Sequence, residues 1–262
     1  MTEGFPEFLY HYTTVDSLEA ILQNHTIRFN SLVNMDDMEE ARTADFGASG
    51  KYVYISSWAD DGASENVALW GMYSNHYEGV RIKMKTNPFV LYQTGPLPYF
   101  EDQSVESYLA RETLERNNLY LYPTLPLIRR VEYTYDEGKI IQSLNIAGTM
   151  NHDGTYNIEA NLNDFGRYKR DAWEPQKEVR YQFCVIPHNT NGNVTVNLDF
   201  NKDGLPFDYW DVRLTEEGYN SIEVTIGSKM TAMNQNRTIT LMHRFFPNDA
   251  EKRFHYSELK IK

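Results

Sequence analysis

Cysteine is all but missing from this chain. Cys184 is the only one in 262 residues, so no disulfide can form within it and too few thiolates exist for a structural zinc site. The seven histidines, at positions 11, 25, 76, 152, 188, 243 and 255, never fall at helical ligand spacing, so no metal is expected. A glycine-rich phosphate loop, a GxSxG elbow, EF-hand spacing and an internal repeat are also lacking. No apolar run approaches the roughly 20 residues of a membrane helix. Residues Met1 to Glu7 have neither the basic start nor the apolar stretch of a signal peptide. These absences predict a soluble, cytoplasmic protein with no membrane partner. Cations are scarce as well: 25 Lys and Arg against 37 Asp and Glu leave a charge of −12, which repels nucleic acid at long range. Arg167, Lys169 and Arg170 form the densest basic run and read as solvated surface charge.

Aromatic residues, by contrast, are plentiful. Nineteen Tyr and thirteen Phe point to a sheet-rich core. The pattern begins with a short aromatic strand, Phe8 to Thr13. A helix follows, capped by Thr14 or Asp16, with an apolar stripe of Val15, Leu18, Ile21 and Leu22, and ends near Asn24. Thr26 to Phe29 is the second strand. The acidic run from Asn34 to Glu40 reads as the start of a short helical segment, its carboxylates favoured by the amino-terminal dipole. Lys51 to Trp58 is a third strand, Glu65 to Tyr73 a helix with Val67, Trp70 and Tyr73 in one stripe, and Val80 to Lys85 a fourth strand. Residues 86–103 read as a loop, Ser104 to Asn117 as a polar surface helix, and Arg130 to Tyr135 as a strand. Asn145 to Asp164 is rich in Asn and Gly and reads as loop. Asn191-Gly192 is a hairpin signal between Phe183–Ile186 and Val194–Phe200, and Asn201 to Gly204 a further turn. Ile222 to Ile226 is a strand, and Met230, Met233, Ile239, Met242 and Phe245 mark a helix that Pro247 stops. Nothing marks a linker, so the expectation is one α+β domain, mixed or antiparallel sheets flanked by helices, with an irregular excursion at about 86–165.

Three polar features stand out. Glu178, Arg180 and Gln182 alternate with Val179, Tyr181 and Phe183, so they share one face of a strand that Trp173 leads into. A carboxylate on a rigid strand beside a guanidinium can position a polar ligand; the plainer reading is a solvated sheet face with an ion pair. His11 lies between Tyr10 and Tyr12 on an otherwise apolar strand. It is either a core imidazole bonded to backbone or a group at the mouth of a cleft. Arg28 is a strand-edge charge or an anion clamp. For at least one of Trp70 and Tyr73, core packing is expected.

Several stretches together resemble one family. In order they are Leu9 to Thr13, Ile27 to Phe29, Met35 to Glu40, Ile55 to Trp58, Trp70 to Tyr73, Gly79-Val80, Lys169, and Trp173 to Arg180. The series resembles the bacterial "domain of unknown function twenty-nine seventy-one" family over residues 8 to 245. Its members start on a YHYT-like strand, carry an N-D-P-x-E-like turn and a W-x-x-Y helix, and end in W-x-x-E-x-E-x-R. No single motif is specific; order and spacing carry the likeness. Asp36 and Met38 stand where that family usually has Asn and Pro, and Gln176 replaces the first Glu of the last motif. The family plan is similar to the ADP-ribosyltransferase-like fold, especially the toxin branch that modifies DNA bases. That resemblance implies that His11 holds the ribose of NAD, Arg28 handles phosphate or substrate, and Glu178 supports transfer.

The implied chemistry is coherent. Breaking the nicotinamide–ribose bond passes through an oxocarbenium-like state, which needs a carboxylate near the ribose, donors for the pyrophosphate and aromatic surface against the departing ring. Glu178 and His11 would be catalytic. Arg28, Tyr12, Trp70, Tyr73 and Arg180 would bind the nucleotide, with Arg180 either fixing Glu178 or touching phosphate, and no metal is required. The expectation is an NAD-dependent ADP-ribosyltransferase or NAD glycohydrolase in a toxin, effector or phage-defence setting, its macromolecular acceptor unnamed. The alternatives are a silent member that binds a nucleotide or a protein through the same cleft, which Gln176 favours, and a purely structural role for these residues.

Overall fold

Thr14, not Asp16, opens the first helix: its side chain accepts the backbone N–H of Ser17. The computed structural model describes residues 4–45, 49–62, 64–94, 104–122, 125–144, 147–150, 156–159, 162–189, 195–196 and 207–261. It forms a mixed α+β fold around a large open sheet. In chain order the first elements are β1 (Phe8–Thr13), α1 (Val15–Asn24), β2 (Thr26–Ser31), β3 (Val53–Ala59), α2 (Val67–Tyr73) and β4 (Val80–Lys85). Next come β5 (Tyr92–Thr94), β6 (Val105–Ser107), α3 (Arg111–Arg116), β7 (Leu119–Tyr122), β8 (Ile128–Arg130), β9 (Glu132–Thr134) and α4 (Glu137–Ile140). β10 (Ala147–Met150), β11 (Tyr156–Glu159), β12 (Tyr168–Arg170), β13 (Glu178–Asn189) and β14 (Thr195–Val196) follow. The chain closes with β15 (Tyr209–Arg213), α5 (Glu216–Asn220), β16 (Glu223–Ile226), α6 (Ala232–Phe245) and β17 (Phe254–Tyr256).

The main path through the sheet runs β14-β13-β3-β1-β4-β16-β17, with β2 also on β3, β15 on β2, and β7 and β8 on β13. All these pairs are antiparallel except β16 with β17. The alternation of β4 places Val80, Ile82 and Met84 in the core. The stripe of α1 packs there too, beside α6. Arg237 of α6 clasps Asp16 and Glu19 of α1 at the surface.

Several expectations change. The Glu178–Arg180–Gln182 face is buried, not solvated, because β13 is paired along both edges: with β3 at 178–184, and with β8 and β7 at 179–181 and 184–187. Both of those partners come from the stretch expected to be irregular. The polar helix expected over Ser104 to Asn117 is shorter. Val105–Ser107 pairs with β5, and Tyr108 and Leu109 are buried, so tertiary packing overrides local helix preference. The acidic run after Asn34 forms no α-helix; only Leu32–Asn34 makes a 3-10 turn, and Glu40 is drawn into the interior. Arg81, which alternates with Val80 and Ile82 along β4, is nevertheless buried and paired with Asp61. The Asn191-Gly192 and Asn201–Gly204 turns lie outside the described residues, while His188 and Asn189 pair antiparallel with Val196 and Thr195.

A candidate site where the sheet parts

β3 has a complete neighbour on one edge and a divided one on the other. On the divided edge it meets β2 at Tyr54 and Ile55, and β1 only at Ala59. Ser56, Ser57 and Trp58 lie between these contacts, and among the described residues no strand pairs with them on that edge. A cavity of about 290 Å³ opens there. β1 supplies Tyr10, His11 and Tyr12 to it, β2 supplies Arg28 and Asn30, and Glu178 enters from β13. Tyr10, Ala59 and Glu178 stand in line across three strands, which is how residues 11 and 178 come to share one space.

His11 closes part of the gap. Its Nδ1 lies 2.9 Å from the Ser57 carbonyl. A carbonyl only accepts, so Nδ1 carries the proton and Nε2 presents a lone pair. Burial pulls the imidazole pKa below 6.5, outweighing the bond to Ser57. Its ring leans on Trp58 at 5.2 Å. Both sequence readings of His11 therefore hold in part: it is bonded to backbone, and it lines the cavity.

Glu178 is 5% exposed and held by four hydrogen bonds from three side chains. Arg180 Nε donates to Oε1 at 2.7 Å, Arg180 Nη2 to Oε2 at 3.1 Å, and Lys169 Nζ to Oε2 at 2.9 Å. The Ser57 hydroxyl adds a fourth bond. Burial alone would raise the carboxyl pKa, but Arg180 and Lys169 overcome it and hold Glu178 at about 2. Arg180, fully buried, also reaches Glu40 Oε2 at 2.6 Å and the Gly166 carbonyl at 2.8 Å. Burial raises the Glu40 pKa above its ordinary value against the pull of Arg180 and Lys169. Lys169 Nζ donates to Gln176 Oε1 at 3.1 Å, and Gln176 Nε2 donates to the Tyr73 hydroxyl at 2.9 Å. That hydroxyl in turn is hydrogen-bonded to Asp36 at the cavity wall.

The other expected ligand groups divide. Arg28 is half exposed, holds Asp211 at 2.9 and 3.0 Å, and lies 3.4 Å over the Tyr209 ring. That pair uses two of its five N–H donors. Tyr12 faces the cavity with its ring, while its hydroxyl donates to Asp61 and accepts Asn66 N–H at 2.9 Å. Tyr73 lines the cavity; Trp70 does not. Trp70 is fully buried, donates to Glu65 at 2.8 Å and meets Tyr12 edge-on, as core packing of α2 requires. Arg180 likewise never reaches the cavity, so of its two expected roles only the fixing of Glu178 has geometry behind it. Trp173 is outside as well, its ring 5.2 Å from Lys169 Nζ.

Lys169, Gln176 and Glu40 all fall within the motif series, and Gln176 stood out there as a departure, but none of the three was expected to be a residue of the site. Lys169 is 4% exposed, not a solvated charge, while Arg167 and Arg170 are paired with Glu132, Asp164, Glu39 and Glu137. The basic run is thus consumed locally and leaves no cationic patch. A signal for Lys169 did exist: it alternates with Tyr168 and Arg170, the parity of a strand. Glu40 had none, since its neighbours Glu39 and Arg42 read the same way. Among the described residues no group of His, Cys, Asp or Glu could hold a metal ion, and no helix is long and apolar enough to cross a membrane.

By architecture the molecule is a mixed α+β protein with an open sheet and helices. Comparison with known proteins adds no relative: no family model matches the chain, and neither curated proteins nor solved structures give a match.

Proposed function

We propose that the cavity binds an NAD-type nucleotide by its nicotinamide–ribose end, and that the protein acts as an ADP-ribosyltransferase-like enzyme, by transfer or by NAD glycohydrolysis. One observation carries this: His11 and Glu178, far apart in the chain, line a single cavity beside aromatic rings and Arg28. The volume is near the lower end, roughly 300 Å³, of small-molecule pockets. It suits a nucleoside-sized group and leaves the remainder of a dinucleotide at the mouth, near Arg28. An ionised Glu178 at the wall is the right charge to face an oxocarbenium-like ribose, and His11 Nε2 can accept from a ribose hydroxyl. The similarity of the motif order to the plan of the ADP-ribosyltransferase-like fold points the same way, as an analogy of fold and not of activity.

A second reading, binding without turnover, is favoured by a specific feature. A carboxylate has about four acceptor sites, and Arg180, Lys169 and Ser57 already fill that number on Glu178. A carboxyl held near 2 is also a weak base. Incubating the protein with NAD and following free nicotinamide by chromatography separates the two. Enzymatic action predicts release that Glu178→Gln abolishes while NAD still shifts the melting temperature. Release that survives Glu178→Gln removes that residue from the reaction. A thermal shift with no release from wild type establishes the silent form, and neither effect would end both readings.

A further inference from the structure

At the cavity wall lies a buried group of four charges, of which Lys169 and Glu178 line the cavity and Arg180 and Glu40 lie behind them. Lys169 and Arg180 are the cations; Glu178 and Glu40 are the anions, and none is more than 5% exposed. Two against two leaves the group neutral. Isolated buried charge is expensive, so the count matters more here than any one contact. Arg180 stands between the carboxylates, its Nη2 2.6 Å from Glu40 and 3.1 Å from Glu178. Lys169 is shared by three side chains: 2.9 Å from Glu178, 3.1 Å from Gln176 and 3.7 Å from Glu40. Of these residues Glu40 is the only one absent from the cavity that still touches a cation holding Glu178, apart from Arg180 itself. Gln176 is the uncharged hydrogen-bond partner of Lys169, and it faces the cavity.

We propose that Glu40 is a positioning residue for Glu178, acting through Arg180, and that a carboxylate at position 176 can stand in for its charge. Positions 40 and 176 are then alternative seats for one negative charge, both within reach of Lys169. With Glu40 present, Arg180 is braced from both sides and presents Nε and Nη2 to Glu178 in a fixed fork. With Glu40 neutralised, Arg180 and Lys169 outnumber their carboxylates inside the protein, and Glu178 is drawn inward by both. With a second carboxylate at 176 and Glu40 retained, anions exceed cations beside Gln176's place at the wall. This deepens the proposed function, resting on it only for what Glu178 does to a ligand.

The test is a charge-swap cycle read first without ligand. Thermal unfolding is measured near neutral pH for wild type, Glu40→Gln, Gln176→Glu and the double variant. Each single change should lower the melting temperature by on the order of 10 °C, the scale expected for an uncompensated buried charge in a chain of this size. The double variant, neutral again, should recover at least half of the combined loss. If Glu40→Gln alone fails to fold, recovery of a folded double variant makes the same point. Additive losses, an unfolded double variant, or a Glu40→Gln protein as stable as wild type would overturn the proposal. The second readout is the NAD-dependent thermal shift, which should be lost in folded Glu40→Gln and return in the double variant. A shift unchanged in Glu40→Gln would overturn the positioning role. Absence of any shift in wild type would sink the proposed function while leaving the ligand-free cycle to decide the charge exchange.

Discussion

Two glutamates at equal depth titrate in opposite directions, and their neighbours account for it. Burial raises both pKa values. Glu178, however, has two cations and a hydroxyl within hydrogen-bond reach, and its pKa falls to about 2. Glu40 has Arg180 close and Lys169 only at 3.7 Å, and burial carries it upward. His11 is governed by burial as well, but with the sign reversed for a base. Its folded pKa lies below 6.5, so in acid the unfolded chain binds a proton that the folded chain refuses. Stability then falls as pH drops below about 6.5. Glu178 adds its own loss lower down, from 4.5 towards 2. Because these slopes overlap, the useful quantity is a difference. Urea unfolding at pH 7 and pH 5.5 should show wild type losing more stability than His11→Gln over that interval. Equal losses in the two proteins would mean that the imidazole takes up its proton as readily folded as unfolded. Little of this was legible in sequence. His11 between two tyrosines announced an unusual imidazole, but the Ser57 carbonyl that orients it belongs to a strand more than forty residues away.

At the scale of elements, what was legible was local. β1, α1 and β4 follow from alternation, a capping threonine and a three-four stripe, all contained in short windows. What escaped was decided by distant partners: β7 and β8 are short runs whose strand character exists because β13 offers them an edge. Turns show the same division. Between α2 and β4 the chain reverses through Asn75, His76 and Tyr77, all with positive φ, before reaching Gly79. A Cβ at Gly79 would sit 2.2 Å from the Thr13 carbonyl oxygen and 2.9 Å from the Ser74 Cα, both main-chain atoms that cannot swing aside. The end of β1 and the start of β4 would have to separate. Gly79→Ala should therefore cost roughly 3 kcal/mol or more. Gly62 is the control: its φ is +59°, with no atom within 4 Å of the added carbon. There, alanine meets only the left-handed backbone penalty, about 1 kcal/mol. Denaturant midpoints for the two variants should differ clearly, and similar values would contradict the close approach at Gly79.

For the whole molecule, the parted sheet is the consequential feature. β1 belongs to the half built with β4, β16 and β17, while β2, β3 and β13 form the other; Tyr10 and Ala59 are the strand pair that joins them on the path. A ligand in the cavity touches both halves, so its binding energy is felt as linkage between them. At a hundred times its dissociation constant, such a ligand adds about 2.7 kcal/mol of stability, a rise in melting temperature of about 5–10 °C for a chain this long. The charge of −12 opposes an anionic dinucleotide at long range, so moderate salt should leave that rise intact or increase it. Hydrogen exchange gives the sharper measurement. With NAD bound, amides of β1 around His11 and those of Ser56 to Trp58 in β3 should exchange more slowly together, in step with the start of β13. Protection confined to β2 and β15, around Arg28, would instead place the nucleotide on the outer edge of the sheet and leave the cavity unused.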